Sequence, residues 1–261
     1  MTLAGRMTAL RVTQRNLWVY RRTWRGSLFG SFLNPLLYLG ALGVGLGSFI
    51  AAQDTSALGG VTYLQFLGPG LLAAACMQTA SFEATFPIMG KISWRRNYEA
   101  MLSAPLSVRD LVLGELGWIA VRMTTMALSF MVVLVLFGIP TSPLAVLGIP
   151  AAVLTGVAFF AAIMAFTATQ KNDSGFAAMF RFVINPLFLF SGTFFPIDRL
   201  PDAIEFVAAL TPLYHGVGLI RGLVLQTPEL ANWPLHLGYL VVFTAAAAWL
   251  AYRLLHRRLV K

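Results

Sequence analysis

Apolar residues fall along this chain in runs of about 20, the length that carries a helix across a hydrocarbon layer of ~30 Å, and polar residues gather between the runs. The pattern predicts an all-α integral membrane protein with six transmembrane helices at residues 27–50, 61–86, 111–138, 144–169, 175–192 and 234–252. Ahead of the first run, Leu3, Met7, Leu10, Gln14, Leu17 and Trp18 recur on one side of a helical wheel, flanked by Arg11, Arg15 and Arg22. That spacing predicts an amphipathic helix over 3–25 lying in the membrane surface, its arginines reaching toward phosphates. Gly68-Pro69-Gly70 interrupts the second run, where a kink is expected because proline removes a helix hydrogen bond.

Residues 191–225 fit neither a span nor an aqueous loop. Pro196, Pro201 and Pro212 punctuate them, yet 204–210 and 213–225 are apolar. A pair of short helices over 203–225 that dip into the membrane and return satisfies both facts, because irregular backbone survives at membrane depth only when packed against protein. Between spans two and three, residues 93–104 read as a short helix broken at Pro105, with Ser107 placed to cap the next one. Tyr98, Met101 and Leu102 form an apolar patch there, which a partner protein or the membrane surface would bury equally well.

Charge sets the orientation. With 58% apolar and only 11% charged residues, the chain does not suit a water-soluble core. Of its 19 Lys and Arg residues, sixteen lie before span one, between alternate spans or after span six; Arg199 and Arg221 lie on the opposite side and Arg122 inside span three. By the positive-inside rule both termini are cytoplasmic, and the net charge of +9 reports topology rather than nucleic-acid binding. The basic N-terminal region is too long for a signal peptide and reads as leading into a retained span. A single cysteine, Cys76, allows no disulfide within the chain.

The residues that could carry chemistry are few. Gly90-Lys91 is followed by Ile92 and lacks the glycine spacing of a phosphate-binding loop, so no ATP-hydrolysing motif is present. His215, His236 and His256 are too scattered in sequence for a zinc site. Glu83, Glu115 and Arg122 are charges in or near the apolar runs; 115 and 122 share a helix face, and Arg122 lies roughly 16 Å from the inner end. A charge at that depth must face a partner or a cavity. The three are expected to form one network near the inner mouth of a pathway, either as a structural ion cluster or as a contact for an anionic substrate. Phe194, Phe195, Phe206, Tyr214 and His215 are candidate walls of its outer end, although each aromatic would also suit an interfacial belt. A membrane-embedded lipid-modifying enzyme and an ion-coupled carrier acting alone stand as alternatives; the first needs clustered His, Asp or Glu, the second inverted repeats that the sequence does not display.

The order of elements, the run YEAMLSAPLS at 98–107, GELGW at 114–118, and SGTFFPIDRLP followed by TPLYHGVGLIRG resemble the type-2 ABC exporter permeases, most of all the branch that exports lipo-chitooligosaccharide nodulation factors. The resemblance implies a permease subunit, not itself an enzyme, that moves an amphiphile outward across a prokaryotic plasma membrane. ATP and Mg would bind a separate ATP-binding subunit present in two copies, and a second permease, an identical copy, would complete the pathway. It further implies that Tyr98, Glu99, Met101, Leu102 and Pro105 contact that ATPase. Many members carry an Asn where Thr211 stands before Pro212, a departure that leaves the external chemistry open.

Overall fold

A computed structural model describes residues 3–47 and 60–260, and all its regular elements among those residues are helical. The end of the first apolar run and the connection carrying Asp54 lie outside the described residues. In chain order the helices are α1 (Leu3–Tyr38), continued by wider π-type turns over Leu39–Leu46, α2 (Tyr63–Ala84), α3 (Asn97–Leu102), α4 (Val108–Leu136), α5 (Gly148–Thr169), α6 (Ser174–Phe190), α7 (Asp202–Ala209), α8 (Pro212–Leu225) and α9 (Trp233–Leu259).

Local chemistry explains most of the boundaries. Thr62 and Gln65 make reciprocal capping bonds at the start of α2, and Ser107 and Asp110 do the same for α4. Thr211 caps α8, whose first residue is Pro212, where a missing N–H costs nothing. α4 ends where Gly138 takes φ +67°, a conformation that suits glycine. α3 is shorter than the helix read over 93–104. Arg96 has a left-handed backbone, φ 45°, and separates α3 from the wide turn over Gly90–Trp94.

Two ends of the bundle are defined by which loops meet. At one, Thr167 on α5 donates to the Ala84 carbonyl at the end of α2, Arg258 on α9 reaches the last carbonyls of α5, and the early part of α1 packs on the start of α4. At the other, Thr141 after α4 donates to the Val224 carbonyl at the end of α8, and Arg221 touches both the Phe66 carbonyl near the start of α2 and the Gly192 carbonyl after α6. Every loop that the sequence assigns to the basic, cytoplasmic side falls at the first end. Those assigned to the outer side, where described, fall at the second.

Among the described residues four helical stretches have the length and apolarity to cross a bilayer: Thr8–Gly45, Val108–Leu136, Pro143–Thr169 and Pro228–Leu259. α7 and α8, bent by 79° at Leu210–Thr211, qualify as a further broken or re-entrant pair. Of the six spans expected, α2 and α6 fall short for different reasons. α2 carries Gln65, Gln78, Thr79 and Glu83, but it is wrapped by α4, α5 and α8. A helix enclosed by protein meets little lipid and needs no uniformly apolar exterior. It runs unbroken through Pro69. α6 is simply shorter.

The segments read as a surface helix and a first span are one continuous helix, with no break at Gly26. Its early part has two distinct faces. Leu10 and Trp18, on the face the periodicity singled out, are 65% and 64% exposed, so this stripe is free to meet lipid. Packing on protein uses the opposite side, where Val12 and Asn16 are buried against α4. α1 comes this close because α4 offers Gly114 and Gly117: a Cβ on Gly114 would lie 2.5 Å from Val12 Cβ and 2.7 Å from the Ala9 carbonyl oxygen. Thr13 uses the space to donate to the Gly114 carbonyl at 2.8 Å. On Gly117 the nearest atom would be the rotatable Thr13 hydroxyl, 2.9 Å away. Gly114→Ala is therefore expected to cost about 1–3 kcal/mol of stability, and Gly117→Ala clearly less. Thermal unfolding of the two variants in detergent checks the order, and equal or reversed costs would contradict this packing.

Candidate functional site

At the basic end the most deeply buried charge is Glu115, which has no solvent exposure. Lys91 donates to both of its oxygens at 2.7 Å, and Asn16 of α1 donates to Oε2 at 3.0 Å. Above the same carboxylate lies Tyr98 of α3, fully buried, its hydroxyl lacking a hydrogen bond of normal geometry. Burial, and then the negative charge of Glu115, hold the Tyr98 phenol well above its usual range, so it stays protonated. Four elements, α1, the Gly90–Trp94 turn, α3 and α4, thus meet on one carboxylate.

Arg122 lies deeper on α4 and pairs with Glu83 of α2, Nε to Oε1 at 3.1 Å, while its guanidinium sits 5.3 Å from the centre of the Tyr20 ring of α1. Glu83, Glu115 and Arg122 thus lie near one another, but the direct pairings divide them. Arg122 belongs with Glu83, whereas Glu115 is taken by Lys91 and Asn16, from a loop and a helix whose approach no local pattern announces. Above Arg122 a cavity of about 220 Å³ opens between α1, α2 and α4, lined on its polar side by Ser31, Asn34, Gln78 and Thr79.

The residues proposed for partner contact divide by exposure. Glu99 and Pro105 are exposed, and Met101 and Leu102 are half-buried against the core. Tyr98 is not a surface residue; it is the root by which α3 is fixed, because the helix is one and a half turns long and its second position turns inward onto Glu115. Arg258 braces the same region, donating to the carbonyls of Thr167 at 3.2 Å and Ala168 at 3.0 Å, to the Gln170 carbonyl, and to Ser93 Oγ at 3.0 Å. One guanidinium thereby satisfies the open end of α5 and ties it to α9 and the wide turn.

At the opposite end Arg221 is buried under the Phe66 ring, 3.8 Å from its centre, and donates to the Phe66 carbonyl at 3.2 Å and to that of Gly192 at 2.7 Å. Gly70 leaves room for this arrangement, since a Cβ there would lie 2.8 Å from the Thr193 carbonyl oxygen. His215 and His236, distant in sequence, meet at 2.9 Å between Nδ1 atoms, because the chain reverses after α8 and α9 returns alongside it. Tyr239 stacks on His215. Among the described residues no three His, Cys, Asp or Glu side chains gather to hold a metal. A cavity of about 440 Å³ beside the pair is lined by Asp198, Glu229, Asn232, Tyr214, Arg221 and His236. The aromatic wall does not assemble as expected. Phe194 packs on Phe188, Phe195 approaches Phe190, Phe206 is 67% exposed on α7, and only Tyr214 of the proposed set borders this cavity.

The profile of the ABC-2 type transporters matches residues 9–225, from α1 to the end of α8. The chain belongs to the ABC-2 type transporter family. This ABC-2 permease is 34% identical to Nodulation protein J of Rhizobium leguminosarum bv. viciae over 99% of its own length and 97% of that protein, and 32% identical to Nodulation protein J of Rhizobium meliloti strain 1021 over 95% and 93%. It is 24% identical to the inner membrane transport permease YadH of Escherichia coli K12 over 94% and 95%. No solved structure matches it. As the motifs implied, the permease is a membrane transport component.

Lys91, Asn16 and Arg258 of the permease were not singled out from sequence. The signal available was a lone lysine in an apolar surrounding, which needs an acid close by. Removing either partner of the buried Lys91 and Glu115 pair leaves an uncompensated charge, so Glu115→Gln or Lys91→Met is expected to cost about 3–5 kcal/mol. The combined variant should be less destabilised than the sum of the two. Thermal unfolding of the purified set in a double-mutant cycle reads the coupling, and strict additivity would show that the pair is not energetically linked.

Proposed function

We propose that this permease moves an amphiphile with a saccharide head outward across the prokaryotic inner membrane, driven by a separate ATP-binding subunit that holds ATP and Mg. In this proposal α1, α2, α4, α5, α6 and α9 are the six spans, both termini are cytoplasmic, the start of α1 runs on from its span at the inner face with Leu10 and Trp18 exposed, and α7 and α8 form a re-entrant pair at the outer face. Two identical permease copies and two ATP-binding subunits make the working unit.

The observation that carries the proposal is the mounting of α3. Its exposed side presents Glu99, Ala100 and Pro105, while its inward side is rooted through Tyr98 beside Glu115. A push on the exposed side has little slack to absorb it before it reaches α1 and α4. Nucleotide binding to the partner would bias inward-facing against outward-facing arrangements through such a contact. The saccharide head is favoured by the polar groups that line part of two cavities. The smaller offers hydroxyls and amides at membrane depth, and the larger offers carboxylates, an amide and an imidazole at the outer end. Those groups suit the many hydroxyls of a sugar better than the single charge of a simple lipophilic drug. The Nodulation protein J relatives, alike over nearly their whole length, point to a lipo-oligosaccharide.

The coupling surface is tested without disturbing the core. Ala100→Arg, at an exposed position, is expected to lower co-purification of the ATP-binding subunit by about tenfold or more, as a charge forced into an interface does, with thermal stability unchanged. Full co-purification would reject α3 as the contact. For transport, inverted vesicles holding both subunits should take up a fluorescent lipo-chitooligosaccharide only with ATP. Uptake by the permease alone, or none with both subunits present, would overturn the assignment.

A further inference from the structure

A second polar cavity opens at the basic end, about 400 Å³ in volume, between α1 and residues 86–97. Its charged lining is four cations, Arg15, Lys91, Arg95 and Arg122, against one carboxylate, Glu83. Two of those cations are already neutralised, Lys91 by Glu115 and Arg122 by Glu83, and these are the only two ion pairs among the described residues. Arg15 and Arg95 carry the surplus. Both line the cleft, and Asn97 fixes the first against the loop: its amide, oriented to satisfy both, accepts from Arg15 Nη2 at 3.2 Å and donates to the backbone carbonyl of Arg95 at 3.3 Å. Arg122 lies at the back of the cleft, its Nε 3.1 Å from Glu83 Oε1.

The mouth of the cleft is apolar. Trp94, 58% exposed, and Val19 of α1, 59% exposed, stand at its rim. A small solute anion would gain nothing from that strip, whereas acyl chains would lie along it. We propose that this cleft binds the phosphate of an anionic membrane lipid, with Arg15 and Arg95 gripping the phosphate oxygens and the exposed Val19 and Trp94 receiving the chains. Guanidinium groups suit the task because their planar forks match phosphate oxygens in pairs. Positive-inside topology puts the site in the cytoplasmic leaflet, where anionic lipids concentrate. The proposal does not depend on what the permease carries. It would join the starting part of α1 to the loop that bears α3 through a lipid held between them.

The full-length protein, purified in micelles containing equal parts phosphatidylglycerol and phosphatidylcholine, provides the test, with bound lipid counted by native mass spectrometry. The preference for phosphatidylglycerol should fall about fivefold for each arginine removed in Arg15→Gln and Arg95→Gln. It should fall less in the Arg15→Lys and Arg95→Lys pair, which keeps the charge but loses the paired grip, and be unmoved in Arg21→Gln with Arg22→Gln, exposed positions on the same helix outside the cleft. An unchanged preference in the Arg15 and Arg95 variants would overturn the proposal. So would an equal fall in the Arg21 and Arg22 variant, which would mean diffuse surface charge, or complete displacement of the lipid by inorganic phosphate, which would make the occupant a solute anion.

Discussion

Away from water, each charged or hydrogen-bonding group must find its partner inside the protein, and this requirement organises the whole chain. Glu115 without exposure is tolerable only because Lys91 and Asn16 are brought to it, and bringing them there fixes the course of the loop after α2 and the angle of α1. Arg221 imposes the same discipline at the far end. Its guanidinium collects carbonyls from α2 and from the turn after α6, so the three elements cannot drift apart without stranding a buried cation. Arg258 closes the end of α5 in like manner. Each cluster joins segments distant in sequence, and together they do the work that a hydrophobic core does in water.

Between these polar fasteners the helices approach by surrendering side chains. Lipid is as apolar as leucine, so helix association there rests on close backbone contact rather than on escape from solvent. Gly114 and Gly117 give α1 its bed on α4, Gly216 accepts Thr155 of α5, and Gly218 makes room for His236. The GELGW run, noticed as a family resemblance, has a physical meaning in this chain: its glycines set a helix contact and its glutamate anchors the loop across from it. α1 is shaped by the same economy, with a small-residue and polar side against protein and a greasy side left for lipid.

What was legible in the sequence was local. The helical runs, the cap at Ser107, the bent pair near 203–225 and the sorting of loops between two ends follow from periodicity, turn chemistry and charge, which act over a few residues. The family followed from motifs that keep their order. Illegible were the pairings set by packing. Lys91 reaches Glu115 across a loop whose path no periodicity fixes, and Tyr98 looked like a surface residue because its neighbours do, although a left-handed Arg96 turns the short helix so that its ring points inward. The two histidines seemed unrelated for the same reason. Leu10, Leu17 and Trp18 of the apolar stripe are exposed on one side of α1, but the opposite face, the one that packs, is small and mixed and gives no hydrophobic signal.

That histidine contact has a consequence in proton positions. A hydrogen bond between two Nδ1 atoms has room for a single hydrogen, so the rings of His215 and His236 cannot share a tautomer: one carries its proton on the shared edge and the other must carry it on Nε2. Two chemically identical side chains are thereby made complementary, one a donor and the other an acceptor, at the seam where the bent pair meets the last helix. The join is keyed by where a hydrogen sits, as much as by the shape of the two rings.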